Sequence, residues 1–282
     1  MDDMPVGSID ARQRAERSIT KKFRAAIWRP FIQAVQQYEL IQPHERIAVC
    51  ISGGKDSMLL AKLMQALHRY TTVPFELCFI AMDPGFNGLN RHKIESNAAL
   101  LGIPVTFFQT NIFDVVTDTD RSPCYLCARM RRGHLYAEAQ RHGCNKIALG
   151  HHLSDVAETV LMNLLYGAKL ETMMPKLRSR NFPGMELIRP MYCIAEDAIN
   201  AWKRYNDLQF IACGCPLAEN CNILNASGGS SRRQAVKSLL TQLKRDYKDV
   251  EESIITATAR VNLEIMLGYT QHGNAHSFLD DY

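Results

Sequence analysis

The spacing of apolar residues along this chain switches repeatedly between a helical and a strand-like pattern. Over residues 11–38, Ile19, Phe23, Ile27, Phe31, Val35 and Tyr38 recur at three- and four-residue steps. That predicts a helix with one buried stripe, bent or restarted at Pro30. Residues 46–51 and 75–82 are nearly continuous apolar runs, as parallel strands covered on both faces require, and residues 55–70 between them have helical spacing. The exchange continues with a helix over 91–101 closed by Gly102, strands at 104–108 and 146–149, and a helix near 156–165. A short strand at 187–190, a helix over 196–206, an apolar strand end at 209–212 and helices over 232–247 and 250–267 follow. Residues 111–121 read as an irregular polar loop, 222–231 as a mobile Gly/Ser-rich loop, and 270–282 as a frayed tail. The pattern predicts an α/β fold with a doubly wound parallel sheet and right-handed crossovers. An N-terminal helical segment (1–45), a catalytic α/β domain (46–225) and a C-terminal helical extension (226–282) are expected.

Composition narrows the class only moderately. A chain of 282 residues, 46% hydrophobic and 22% charged, is ordinary for a globular protein of one large domain with an appendage. No apolar run approaches the roughly 20 residues that span a bilayer, so no membrane span is expected. Residues 1–10 have no apolar core, which argues against a secretory signal and for a cytoplasmic protein. A net charge of +4 permits an RNA partner without requiring one. Arg12, Arg14, Arg17, Lys21, Lys22, Arg24 and Arg29 occupy the polar face of residues 11–38. Such a face is commonly just solvated; RNA contact is the alternative.

Chemistry concentrates where the first strand ends, at Ser52-Gly53-Gly54-Lys55-Asp56-Ser57. Two residues without Cβ let the backbone take positive φ and pass close to an anion. The N–H groups and positive end of the following helix then face that anion. Lys55 adds a full charge, and Ser52 and Ser57 add hydroxyls. The spacing is neither the Walker pattern nor Gly-x-Gly-x-x-Gly. The bland alternative is an ordinary strand-to-helix turn. Asp83, where the second strand ends, is a candidate for magnesium or nucleotide, or merely starts the Pro84-Gly85 turn. Gly150, His151 and Asp155, after the fourth strand, are candidates for nucleotide or magnesium contact. Helix capping by Asp155 and Glu158 is the alternative.

Nine cysteines suggest metal or sulfur chemistry in a reducing compartment. Cys50, Cys78, Cys144 and Cys193 stand singly and read as small buried hydrophobes. Cys124-x-x-Cys127 opens a helix, where the helix N-terminus and Arg129, Arg131 and Arg132 favour thiolates. Cys213, Cys215 and Cys221 form a later group. Three thiolates would leave one metal position open, whereas four make a closed zinc site. The residues alone leave an iron–sulfur cluster and structural zinc both standing.

The loop at residues 52–57 matches the Ser-Gly-Gly-x-Asp-Ser signature of the PP-loop ATP pyrophosphatases, which split ATP between the α and β phosphates. Asp83-Pro84-Gly85-Phe86 and Cys124-x-x-Cys127 with Arg129, Arg131, Arg132 and Gly133 extend the likeness. So do Ala148-Leu149-Gly150-His151-His152 with Asp155, Asn163-Leu164-Leu165-Tyr166-Gly167, Pro175-Lys176-Leu177 and Ile188-Arg189-Pro190. Over about residues 46–245 the chain resembles the tRNA 2-thiocytidine synthetases of that family. The resemblance implies a Rossmann-like PP-loop fold. It also implies ATP- and Mg2+-dependent adenylation of the C2 oxygen of an anticodon-loop cytidine, then sulfur transfer. Cys124 and Cys127, with Cys213 or Cys215 rather than Cys221, would hold a [4Fe-4S] cluster. The family's later motif is Cys-x-x-Cys, from which Cys213-Gly214-Cys215 departs. Lys55 and Asp56 would act beside the cysteines in catalysis. Ser52, Gly53, Gly54 and Ser57 would cradle ATP. Implied partners are tRNA, a sulfur donor such as a cysteine desulfurase, and a second copy of the chain. Arg131, Arg132, Lys237, Lys244 and Arg245 are candidates for tRNA phosphates. A 2-thiouridine synthase, a lysidine synthetase and a zinc-stabilised RNA-binding protein without catalysis are the rival readings.

Overall fold

The computed structural model describes residues 10–85, 88–110, 123–211, 229–280 and 282, with backbone alone for 123–129 and 229–231. Two compact units emerge: Met1–Asp155 with Met174–Arg232, and Val156–Met173 with Arg233–Tyr282.

The first unit is built on a six-stranded sheet in the order β3-β2-β1-β4-β6-β5. Its strands are β1 (Arg46–Ile51), β2 (Glu76–Asp83), β3 (Val105–Gln109), β4 (Lys146–Ala148), β5 (Lys176–Arg178) and β6 (Glu186–Ile188). β1 lies centrally and pairs parallel with both β2 and β4. β6 extends the parallel array, and only β5 runs antiparallel, at the edge. Helices are α1 (Ala11–Thr20), α2 (Arg29–Gln37), α3 (Lys55–Tyr70), α4 (Gly88–Leu101), α5 (Pro123–Arg141), α6 (Leu153–Gly167), α7 (Glu196–Tyr205), α8 (Gly229–Asp246) and α9 (Val250–Ala259).

Alternate residues of each strand face opposite sides, so the apolar runs build two cores. Ile47, Val49, Ile51, Phe79 and Ala81 pack with residues of α1 to α4 and α7. Ala48, Cys50, Ile80, Ile147 and Leu187 pack with Tyr136 and Ala139 of α5. Cys50 and Cys144 are buried, but Cys78 and Cys193 are only half-buried, less than the sequence suggests. Burial raises the Cys144 thiol to about 12, and it raises Cys50 as well, so both stay protonated.

The continuous helix expected over 11–38 is instead broken. α1 ends at Thr20, and a π-helical turn, Arg24–Trp28, leads into α2 with Pro30 in its first turn. Trp28 N–H reaches back five residues to Phe23 C=O at 3.3 Å. Pro30 donates no hydrogen bond and its ring crowds the carbonyl four residues earlier; the wider turn relieves that conflict. Part of the basic face is used within the unit. Arg14 donates to Asn206 C=O at 3.1 Å, and Lys22 lies 4.3 Å over the Tyr205 ring.

Other departures are local. β5 has too few residues to show a pattern. Residues 209–211 are not a strand: Asn97 of α4 donates to Gln209 C=O at 2.9 Å, and Phe210 stacks on Trp202. α8 begins at Gly229, so the end of the Gly/Ser stretch is helical; residues 111–121 and 222–228 lie outside the described residues.

The second unit has its own small core. Ala157, Val236 and Leu240 pack with Leu161, Met162, Val250 and Ile254. Arg233 pairs with Glu158 at 3.0 Å and Lys244 with Glu251 at 3.2 Å. α9 stops at Ala259, eight residues short of the expectation. The tail is not frayed: β7 (Gly268–Gln271) and β8 (Asn274–Ser277) form a hairpin. His272 and Gly273 take φ 51 and 86 in its two-residue turn, as hairpin twist requires. Val236→Ala should weaken this core by about 2 kcal/mol, read as roughly thirtyfold faster amide exchange in α8 and α9. Among the described residues no helix is long and apolar enough to cross a membrane.

Candidate nucleotide and sulfur site

The chain leaves β1 toward β2 on one side, and β4 lies on the other. Between them is the switch point where open α/β sheets bind ligands, beyond the carboxyl ends of the strands. The 52–57 loop stands there. Gly53 has φ +83, and a Cβ on it would lie 2.5 Å from Ile94 Cγ1 and 2.8 Å from Ile211 Cδ1. Gly54 is the N-cap of α3 and no side chain caps that helix, which leaves its first N–H groups available to a bound anion. Ser57 is buried and shapes the loop. Its Oγ accepts from Ser52 N–H and Ser52 Oγ–H, both at 3.1 Å, and donates to Gly54 C=O at 3.0 Å. Ser52 is exposed. Gly150 brings the exit of β4 onto the same helix start: a Cβ there would lie 3.1 Å from the Asp56 carbonyl carbon and from Ser57 N.

Charges around the loop are paired. Lys55 Nζ lies 2.9 Å and 3.1 Å from the Asp56 carboxylate oxygens and 3.1 Å from Glu196 Oε1. Burial pulls its pKa down, but Asp56 and Glu196 outweigh that, and it ends above its ordinary value. His152 and Asp155 cap α6 reciprocally. His152 N–H donates to Asp155 Oδ2 at 3.1 Å, and Asp155 N–H to His152 Nδ1 at 3.4 Å. His152 Nε2 is also 3.8 Å from Asp56 Oδ1. Asp83 accepts from Gly85 N–H at 3.0 Å, so it does start the turn, and it pairs with Arg91 at 2.9 Å. His151 differs from these groups. Burial first, then Arg189, hold its pKa down at about 4, and it is neutral near pH 7.

α5 packs on β2, β4 and β1. It connects the parallel strands β3 and β4, so it runs back along the sheet and begins at the edge that bears the 52–57 loop. Cys124 and Cys127 belong to its opening residues, with side chains outside the described set; Cys213, Cys215 and Cys221 lie wholly outside it. Among the described residues no group of three or more His, Cys, Asp or Glu is placed to hold a metal.

A family model described as a PP-loop domain matches residues 23–213. The chain is 34% identical to the tRNA-cytidine(32) 2-sulfurtransferase of Citrifermentans bemidjiense, over 82% of this chain and 88% of that one. It is also 34% identical to the Geobacter sulfurreducens enzyme of the same name, over 88% and 92%. The chain belongs to the PP-loop tRNA-cytidine(32) 2-sulfurtransferase family. The fold agrees with that of the U34-tRNA thiolase NcsA from Methanococcus maripaludis, solved with its [4Fe-4S] cluster. The TM-score is 0.65 at 21% identity, covering 86% of this chain and 80% of that one.

Within this family fold the structure gathers Ser52 to Ser57, Gly150, His151 and Asp155 at one sheet edge. Asp83 lies at the same edge as the last residue of β2, engaged by its own turn and by Arg91. Sequence reasoning missed Glu196, which opens α7 and reaches Lys55 from 141 positions away. An acid in a helix's first turn carries no local sign of such a partner. Glu196→Gln should tighten ATP binding about threefold, by removing negative charge beside the triphosphate, and should lower turnover by loosening Lys55. Calorimetry and steady-state rates check both; weaker ATP binding would overturn the assignment.

Proposed function

We propose that this chain is an ATP-dependent tRNA sulfurtransferase that converts an anticodon-loop cytidine to 2-thiocytidine, with release of AMP and pyrophosphate. The observation that carries it is the glycine loop at the switch point, with the cysteine pair of α5 starting at the same sheet edge. Ser52, Gly53, Gly54 and the start of α3 cradle the ATP phosphates; Asp155 or Asp83 would hold Mg2+, which would neutralise phosphate charge. The C2 oxygen of the cytosine attacks the α-phosphate. A P–O bond forms, the bond to the β-phosphate breaks, and pyrophosphate leaves with its electron pair. Lys55, charged and fixed between Asp56 and Glu196, draws that charge forward. The protein's work in this step is positioning and electrostatic stabilisation. Sulfur then bonds to C2 while the C2–O bond breaks, and AMP departs.

Cys124 and Cys127, with Cys213 or Cys215, would hold a [4Fe-4S] cluster. Thiols three residues apart at a helix start suit this donor set. When bound, such a cluster would supply a site for the sulfur to be transferred. Arg132, Lys237 and Arg245 contact tRNA phosphates; Lys244, engaged with Glu251, serves α8 and α9. A cysteine desulfurase supplies the sulfur, the protein works in the cytoplasm, and it pairs as a homodimer.

The test combines two readouts. Incubation with ATP and tRNA should yield AMP; ADP instead would sink the adenylation step. Nucleoside mass spectrometry of tRNA from a deletion strain should show loss of 2-thiocytidine. Loss of 2-thiouridine or lysidine would assign a different reaction.

A further inference from the structure

Two neighbouring strand ends carry cationic and polar groups that the reaction above leaves unused. β4 and β6 pair parallel with Ala148 opposite Ile188, so His151 and Arg189 both follow the sheet at its carboxyl edge. Gly150 presses on Asp56 and Ser57, which puts His151 beside the phosphate loop. Arg189 is only 5% exposed. Its Nη1 donates to Met174 C=O, but its Nε is buried without a partner. Among the described residues no carboxylate lies within 4.0 Å of it. His151 Nδ1 and, on α5, Arg131 Nε are likewise buried and unpartnered. Burial first, then the neighbouring charge of Arg132, lower Arg189 to about 10, and it remains a cation at neutral pH. Asp155 offsets part of that charge at longer range. A buried guanidinium without a direct carboxylate partner is costly, and the orphaned N–H on it suits an oxyanion.

We propose that Arg189, with His151 and Arg132, forms a seat for the α-phosphate that passes from ATP to the cytidine. This rests on the adenylation reading and gives it a second anion site on the β4 and β6 side of the loop. The α-phosphate is bridged on both sides in ATP and in the adenylated cytidine, so what favours the nucleotide over the RNA backbone is the position of Gly150 and His151 beside the ATP loop. The seat gains importance as charge builds on AMP while the C2–O bond breaks. Charge-assisted donors then stabilise the leaving phosphate.

The experiment is calorimetric titration of the cluster-loaded protein with AMP, pyrophosphate and an anticodon stem-loop RNA. Arg189→Met should weaken AMP about tenfold to a hundredfold, and Arg189→Lys less, since an ammonium lacks the planar fork. Arg132→Gln, at an exposed position, should weaken AMP about threefold to tenfold. Pyrophosphate affinity and iron content should hold within about twofold in every variant, and RNA affinity should hold in the Arg189 variants. Unchanged AMP affinity in Arg132→Gln and in folded Arg189 variants overturns the seat. So does a loss confined to RNA, with a shallower salt dependence, or a loss of iron. AMP release by the wild-type protein is measured in parallel. Its absence refutes the adenylation reading itself, whereas AMP release with unchanged affinities refutes only the seat.

Discussion

Gly53→Ala should lower kcat/KM for AMP formation by at least about a hundredfold, while Gly54→Ala stays within a few-fold of the parent. The two glycines are adjacent but constrained differently. Gly53 sits at φ +83, where an L residue is strained by about 1–2 kcal/mol. Its new Cβ would also lie 2.5 Å from Ile94 Cγ1, and Ile94 is fully buried in the core beneath α4. Overpacking a well-filled core adds about 1–3 kcal/mol. Local hydrogen bonds among Ser52, Gly54 and Ser57 shape the loop, whereas Ile94 is locked in the core, so the loop yields before the core does. A displacement of about 1 Å in a phosphate cradle is enough for the rate loss. Gly54 has φ −79 and ψ 164, ordinary extended backbone, and the nearest atom to its added Cβ is Ser52 Oγ at 3.6 Å. AMP release with tRNA present is the assay, with circular dichroism to show that both variants fold. An active Gly53→Ala, or equal losses in the two, contradicts the steric account.

Cys124→Ala and Cys127→Ala should each purify anaerobically with iron and sulfide near background and form no 2-thiocytidine. ATP binding should persist, because the phosphate loop follows β1 and owes nothing to either thiol. Of Cys213→Ala and Cys215→Ala one should lose iron and the other keep it. Cys50→Ala should keep it, since that thiol is buried in the apolar core and held protonated by burial. Stoichiometric zinc in place of iron would remove the sulfide-carrying role and favour a closed structural site.

Legibility in the sequence tracked the range of the interaction. β1, α3 and the turn between them were readable because a buried strand, a two-glycine turn and an amphipathic helix are set within about twenty residues. The helix over 11–38 was misread because a π-helical turn leaves the apolar spacing nearly intact while changing which carbonyl each N–H meets. The β7–β8 hairpin was missed because its strands, Gly-Tyr-Thr-Gln and Asn-Ala-His-Ser, alternate too weakly to show a period. Asp83 had two readings, turn former or ligand. The structure shows the turn bond to Gly85 and adds Arg91 as its ion-pair partner.

By itself, the sequence determined that a phosphate-binding turn joins a buried strand to a helix, and that paired thiols open a later helix of the same α/β array. Only the tertiary structure decided what surrounds that turn. Glu196 fixes Lys55, Gly150 lays β4 against α3, and Arg189 and His151 keep buried, unpartnered nitrogens past the ends of β6 and β4. None of these has a local signature. Each depends on strand order, which brings residues more than ninety positions apart to one sheet edge. A charge or donor is paired or left orphaned by what packing places next to it, whereas a glycine's backbone freedom belongs to the residue itself.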